Sequence, residues 1–282
     1  MKRRDLLKGL ATVPVLGAFA YSWLHKQHYD KYLKKSIQEE IKLKATAPDI
    51  SATGPMDKKI RLGLIGYGIR GKQLARAAGF AHPELIDKWM EAASDNANDN
   101  RYRNYLAQED LNVVINGVCD IFDTYGKMAQ EAGANINREG SGGKMFDQPR
   151  RYRNYQDLIH AEDIDAVIIG TPDHWHCRIM VDACRAGKQV YVEKPLANTI
   201  AECNLMEQAV TRYGTIAQIG QWQRSDAHWQ DAIAYVHSGK LGKIRTVRAW
   251  SYQGWMGSVP VVPDSPVPEG VDYDFWLGPA PK

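Results

Sequence analysis

The stretch Ile60-Arg61-Leu62-Gly63-Leu64-Ile65-Gly66-Tyr67-Gly68-Ile69-Arg70-Gly71 decides the reading of the chain. An apolar run leads into G-x-G-x-x-G, and helix-forming residues follow. That is the order strand, tight turn, helix. The three glycines serve different physical ends. Gly66 permits the turn, Gly68 lets backbone approach a pyrophosphate, and Gly71 lets the helix pack closely on the strand. A diphosphate held there lies over the helix N-terminus, where unpaired N–H groups and the helix dipole favour an anion. The phosphate-side residues are therefore expected to be Gly66, Tyr67, Gly68, Ile69, Arg70 and Gly71. The pattern is weak alone, but a second motif lies downstream, Val190-Tyr191-Val192-Glu193-Lys194-Pro195.

Outward from this stretch, strand-like and helix-like segments alternate. Strands are expected at Ile60–Ile65, Val113–Cys119, Ala166–Gly170, Gln189–Glu193 and Thr215–Ile219. Helices are expected at Lys72–Gly79, Thr124–Ala132, His174–Ala186 and Ile200–Tyr213. The Val/Ile runs lack polar alternation, which suits strands covered on both faces, as in a parallel sheet. Gly187 and Gly214 stand where a helix-ending glycine belongs. The fold class read from this is α/β, a doubly wound parallel sheet of Rossmann type over residues 58–222. Residues 223–282 read as the start of a second α/β domain with an open sheet: a helix at Asp226–Ser238, a turn at Gly239–Gly242 and a half-buried antiparallel strand at Ile244–Tyr252. Trp250, Tyr252 and Trp255 suit either sugar stacking or the core side of that sheet, with the core role favoured. One strand and a loop do not bury a sheet face, so this domain reads as incomplete.

Two irregularities stand out. The acidic residue that follows the second strand usually comes about 20 residues after the glycine loop, whereas Asp120 comes about fifty after Gly71. The intervening Ala81–Asp110 reads as an inserted helix, Glu84–Ala93, with a polar loop. In addition, Arg101-Tyr102-Arg103-Asn104-Tyr105 recurs at Arg151–Tyr155, and both copies read as similar entries into neighbouring strands.

The 282 residues are 44% hydrophobic, ordinary for globular protein, with a net charge of +3. Residues 1–57 hold ten Lys/Arg against six Asp/Glu, so the basic excess belongs to the leader and the body is close to neutral. No basic stripe argues for nucleic acid. Met1-Lys2-Arg3-Arg4-Asp5-Leu6-Leu7-Lys8 followed by apolar Gly9–Leu24 reads as an export signal over residues 1–25, with paired arginines like those of a twin-arginine signal. Sixteen apolar residues containing Pro14 are short for a spanning helix, and an uncleaved membrane anchor is the alternative. The expected location is the periplasm, with membrane contact only through the signal. Residues 26–57 read as a helical linker. Cys119, Cys177, Cys184 and Cys203 lack metal-ligand spacing and read as free thiols.

Three ordered motifs carry a resemblance: Gly66–Gly71, Gly170-Thr171-Pro172-Asp173-His174-Trp175-His176, and Glu193-Lys194-Pro195. Together they resemble the Gfo/Idh/MocA oxidoreductase family from about residue 59 onward, and Trp276-Leu277-Gly278-Pro279-Ala280-Pro281 also matches a habit of that family. The resemblance implies NAD(P)-dependent oxidation or reduction of sugars and related polyols. It places Thr171-Pro172 beside the nicotinamide-side ribose. It also implies that Glu193 shapes the Lys194-Pro195 turn, whose peptide bond is often cis in the family. Asp120, ending the second strand, can accept both ribose hydroxyls and repel a 2′-phosphate, which favours NAD over NADP; the alternative is a helix cap, with Asp123 as its competitor. Lys194 is the proton-handling candidate, its pKa lowered by desolvation at the sheet mouth. His176 reads as either a polar wall of the site or a residue packed in its helix. A metal on His174-x-His176 is rejected for want of a third ligand. Gln221, Gln223 and Arg224 are read as either cleft or loop residues.

The family's Asp and His from the substrate domain, four residues apart, are not assignable here. The expected function is thus an NAD-dependent oxidoreductase of a sugar or sugar derivative, in truncated or split form. The alternatives are an NAD-dependent glycoside hydrolase working by transient oxidation and elimination, and a non-catalytic nucleotide-binding fragment. The expected partners are a sugar-type small molecule and, through the open sheet, a second copy or a complementary chain.

Overall fold

The computed structural model describes residues 21–28, 58–135, 146–250, 257–258 and 260–278. The chain divides into two units, Met1–Ile50 and Ser51–Lys282. In the first, residues 21–28 are helical. The export signal and the linker otherwise lie outside the described residues, and no helix among those described is long and apolar enough to cross a membrane.

The second unit is built on a six-stranded sheet: β1 (Ile60–Ile65), β2 (Val113–Cys119), β3 (Arg150–Tyr152), β4 (Ala166–Ile169), β5 (Gln189–Val192) and β6 (Ala217–Ile219). The strand order is β3-β2-β1-β4-β5-β6 and every pairing is parallel. The order reverses direction between β1 and β4, which opens a crevice above their carboxyl ends. Helices connect the strands: α1 (Ile69–Ala77), α2 (Pro83–Asp95), α3 (Arg101–Leu106), α4 (Asp123–Gly133), α5 (Tyr155–His160), α6 (Asp173–Arg185) and α7 (Ile200–Tyr213). After the sheet come α8 (Ala227–His237) and the short α9 (Tyr273–Leu277).

The unalternating strands have the expected cause. Leu62 and Leu64 of β1 belong to an apolar cluster with Ala75, Val118 and Ala129, under α1 and α4. Ile65 faces the other cluster, with Leu158, Ile169, Ile179 and Met206, under α5, α6 and α7. Adjacent strand residues thus enter different cores, and both faces must be apolar. A Cβ at Gly63 would meet Leu158 Cδ2 at 2.5 Å, so any side chain there would displace the buried Leu158.

Several expectations are corrected. The inserted segment holds two helices, α2 and α3, and a small core of its own around Ile86, Trp89 and Tyr105. Strand β3 and helix α5 occupy the approach to the fourth strand, where the sequence pattern marks no element. The two five-residue copies differ: Arg101–Tyr105 is helical, while the second copy supplies β3, the Asn154 cap and the start of α5. The strand expected at Ile244–Tyr252 is not formed over residues 244–250, and Trp250 is 82% exposed. A lone extended segment has no partner for its backbone N–H and C=O groups, and among the described residues none lies beside it. Residues 251–256, with Tyr252 and Trp255, lie outside the described residues. Helix α8 buries none of its residues.

Candidate nucleotide cleft

The glycine loop leaves β1 at the switch point. Gly66 sits at φ +86°, a conformation that costs a side-chain-bearing residue strain, and a Cβ on Gly71 falls 2.0 Å from the Gly66 carbonyl oxygen. Loop and helix can therefore meet only through glycine. At Gly68 an added Cβ meets nothing within 4 Å, so the loop's outer side is open. Gly68 also caps α1 with no side-chain hydrogen bond to its first-turn N–H groups, and it lines the cavity above the loop.

Above this loop is a cavity of about 280 Å³, near the low end of ligand pockets at roughly 300–1,000 Å³. Gly66, Gly68, Asp120, Thr171 and Pro172 all line it. Three loops from β1, β2 and β4 thus converge as the strand order requires. Asp120 is buried; its Oδ2 accepts from the Tyr67 N–H (2.6 Å) and its Oδ1 from the Phe122 N–H (2.9 Å). Burial raises its pKa above the ordinary aspartate value, and the two N–H donors pull back against that. The Thr171 hydroxyl oxygen is buried with no partner among the described residues. An anion-ready helix start, a carboxylate at the second strand's end and an orphaned hydroxyl fit a dinucleotide.

The remaining predicted residues fall into different surroundings. Tyr67 is buried in the core under α1, and Ile69 is 82% exposed. Arg70 crosses to the other motif: its Nη2 donates to Glu193 Oε1 at 2.7 Å. Glu193 is buried, and its Oε2 accepts the Lys194 N–H at 2.9 Å. The Lys194-Pro195 bond is cis. Lys194 itself is exposed and is not among the residues lining the cavity.

Of its two readings, His176 takes the packed one. It is 1% exposed, with Nδ1 2.7 Å from the Pro195 carbonyl oxygen and Nε2 2.9 Å from that of Thr171. It thereby ties the Thr171-Pro172 turn to the Lys194-Pro195 turn. Asp123 is not the helix cap; it occupies the first turn of α4 and pairs with Arg151 and Arg153. Gln221, Gln223 and Arg224 are exposed and outside the cavity. All four cysteines are free, and burial pushes the Cys119 thiol up to about 12. Among the described residues no group of three or more His, Cys, Asp or Glu is placed to hold a metal.

The family model for Gfo/Idh/MocA proteins, described as an oxidoreductase family with an NAD-binding Rossmann fold, matches residues 60–221. The chain belongs to this family. It is 29% identical over 181 residues to an inositol 2-dehydrogenase of Salmonella typhimurium, covering 61% of this chain and 49% of that protein. It is 28% identical over 158 residues to glycosyl hydrolase family 109 protein 1 of Shewanella sp. strain MR-4, covering 55% and 26%. A solved structure of scyllo-inositol dehydrogenase from Lactobacillus casei, with NAD(H) and scyllo-inositol, is 21% identical with a TM-score of 0.46, covering 66% and 43%. The chain spans half or less of the length of these relatives.

Within this Gfo/Idh/MocA chain, the aromatic side of the cleft is what the sequence pattern did not reveal. Phe122, Tyr125, Tyr155, Trp175, Phe275 and Trp276 line the cavity. Phe122, Tyr125 and Trp175 sit on or beside expected elements, and Trp175 falls within the Gly170–His176 motif, whereas Tyr155 starts the unexpected α5. Phe275 and Trp276 arrive from about a hundred residues away in sequence, and no periodic signal links them to Trp175.

Proposed function

We propose that this family member is an NAD-dependent oxidoreductase moving hydride between nicotinamide and a sugar or polyol. One observation carries the reading: Gly66, Gly68, Asp120, Thr171 and Pro172 line one cavity, and the Arg70–Glu193 pair joins its glycine loop to the turn bearing Lys194. The cofactor, when bound, takes up or returns hydride at its nicotinamide ring. Asp120 accepts ribose hydroxyls, and its negative charge opposes the extra phosphate of NADP. The first turn of α1 holds the pyrophosphate, and the Thr171 hydroxyl offers a donor inside the cleft. Lys194, on the turn that the Arg70–Glu193 pair ties to the glycine loop, hydrogen-bonds the reacting hydroxyl and handles its proton. Inositol, named in the Salmonella relative's activity, gives the first substrate class to try.

The test begins with the chain purified and denatured, its supernatant assayed by mass spectrometry for NAD(H) and NADP(H). Bound NAD(H) is the expected result; NADP(H) alone, or no nucleotide with no binding of added NADH, overturns the assignment. In a form that turns over polyols, Lys194→Ala is expected to lower kcat at least about 100-fold, and full turnover by that variant removes the proton role from Lys194.

The Shewanella relative favours a second reading, glycoside cleavage through transient oxidation. It is distinguished by release of free sugar from a glycoside with no net change in NADH absorbance.

A further inference from the structure

Residues Gly270–Gly278 lie outside the stretch that the family model matches, yet they lie against the carboxyl edge of the sheet. They are held at two places, each following a different strand. At the loop after β2, the Asp123 N–H donates to the Gly270 carbonyl (2.9 Å), the Asp272 N–H donates to the Ile121 carbonyl (3.1 Å), and Val271 forms an antiparallel bridge with Phe122. At the first turn of α6, which follows the loop after β4, the Trp276 carbonyl accepts from Trp175 Nε1 at 3.0 Å and lies 2.8 Å from His174 Nε2. The Phe275 ring stacks on Trp175, with centroids 4.8 Å apart and 12° between planes. The N–H···O contacts at both ends are between groups fixed by backbone or ring, so the segment's position does not depend on flexible surface side chains.

These two loops flank the end of β1, where the glycine loop begins. The segment therefore spans the nucleotide cleft from one wall to the other. Val271, Phe275 and Trp276 face the same cavity as Asp120. Flat apolar surfaces beside a carboxylate suited to ribose hydroxyls match the purine nucleoside end of a dinucleotide, with a π-face to stack and vicinal hydroxyls to donate.

We infer that Gly270–Gly278 is a strap supplying the outer wall of the adenosine half of the site, with Trp276 as a direct contact of the purine. The inference rests on the dinucleotide reading above. It adds a binding element that the nucleotide-binding stretch, residues 60–221, does not contain.

The test uses the full chain with three probes: NADH, ADP-ribose and nicotinamide mononucleotide, titrated by calorimetry. Trp276→Ala removes the ring but keeps the carbonyl that anchors the strap. It is expected to weaken ADP-ribose and NADH equally, by about tenfold, the equivalent of one good aromatic contact. Nicotinamide mononucleotide is expected to bind native and variant chains alike. Phe275→Ala, which loosens the strap from Trp175, is expected to weaken ADP-ribose further. In the native chain, ADP-ribose is expected to slow hydrogen exchange at the Asp123 and Asp272 amides. Equal ADP-ribose affinity in all three chains with unchanged exchange overturns the strap while leaving the dinucleotide site standing. A matching loss for nicotinamide mononucleotide also overturns it, since the effect then is not on the adenosine half. A native chain that binds neither ADP-ribose nor NADH removes the dinucleotide reading and the strap together.

Discussion

At the scale of single residues, the most consequential contact is the one between Arg70 and Glu193. Glu193 has a side chain only 3% exposed, and a buried carboxylate needs donors. It has the Lys194 N–H on one oxygen, and the Arg70 guanidinium with the Tyr191 hydroxyl (3.4 Å) on the other. Arg70→Ala leaves that charge buried without its cationic partner, and about 3 kcal/mol of stability is expected to go with it. Denaturant midpoints measure this, and Arg70→Lys is expected to restore only part, because an ammonium lacks the planar fork. A loss within about 0.5 kcal/mol would instead mark the pair as an ordinary rim contact. His176 teaches a related point. Its sequence neighbourhood allowed either a wall residue or a packed one, and two backbone carbonyls at hydrogen-bond distance decided the matter.

Elements are pinned by similar devices. Arg61 of β1 reaches Asp165, the residue just before β4, through Nη2–Oδ1 (2.7 Å), Nε–Oδ2 (2.9 Å) and its own backbone N–H (2.9 Å). These contacts fix the entry of the two central strands relative to each other. The Arg61 hydrogen bonds hold the Asp165 carboxyl down to about 2, against the burial that opposes them. An acid depressed in the folded state contributes stability that is complete above its unfolded value and is lost as pH falls. The gap in melting temperature between the native chain and Asp165→Asn is therefore expected to be constant near neutrality and to shrink between about pH 4 and about pH 2. A gap that persists to the lowest pH would show that the carboxylate charge is not what joins the strands. The repeated Arg-Tyr-Arg-Asn-Tyr belongs to this scale as well. The first copy is a helix resting on the small core around Trp89, and the second runs from an edge strand paired with β2 through the Asn154 cap into α5. Identical local propensity gave two structures because different neighbours were available.

For the whole molecule, the strand order places three ligand-facing loops at one crevice, and the strap closes it from outside. A ligand that binds only the folded chain raises its stability by mass action, by about 2.7 kcal/mol at a hundred times Kd. NAD is expected to raise the melting temperature in proportion to the logarithm of its concentration, and NADP to do so only at much higher concentration because of Asp120. Equal shifts from both nucleotides would remove that selectivity.

The sequence by itself determined the sheet and most of its strands. Four of them begin at the expected residue, since runs buried on both faces are written as continuous Val, Ile and Leu. It also determined the glycine loop, where a carbonyl 2.0 Å from a would-be Cβ leaves no alternative residue. Helix α7 matched end to end, bounded by the Thr199–Glu202 capping box and by Gly214 in the left-handed conformation. Short elements at the sheet's margin, β3 and α5, were not legible, because three to six residues carry too little periodicity to register. What only the tertiary structure decided was which distant groups meet: Arg70 with Glu193, His176 between two turns, and Phe275 on Trp175. Such meetings follow from how strands are ordered and loops are docked, and a linear pattern records neither.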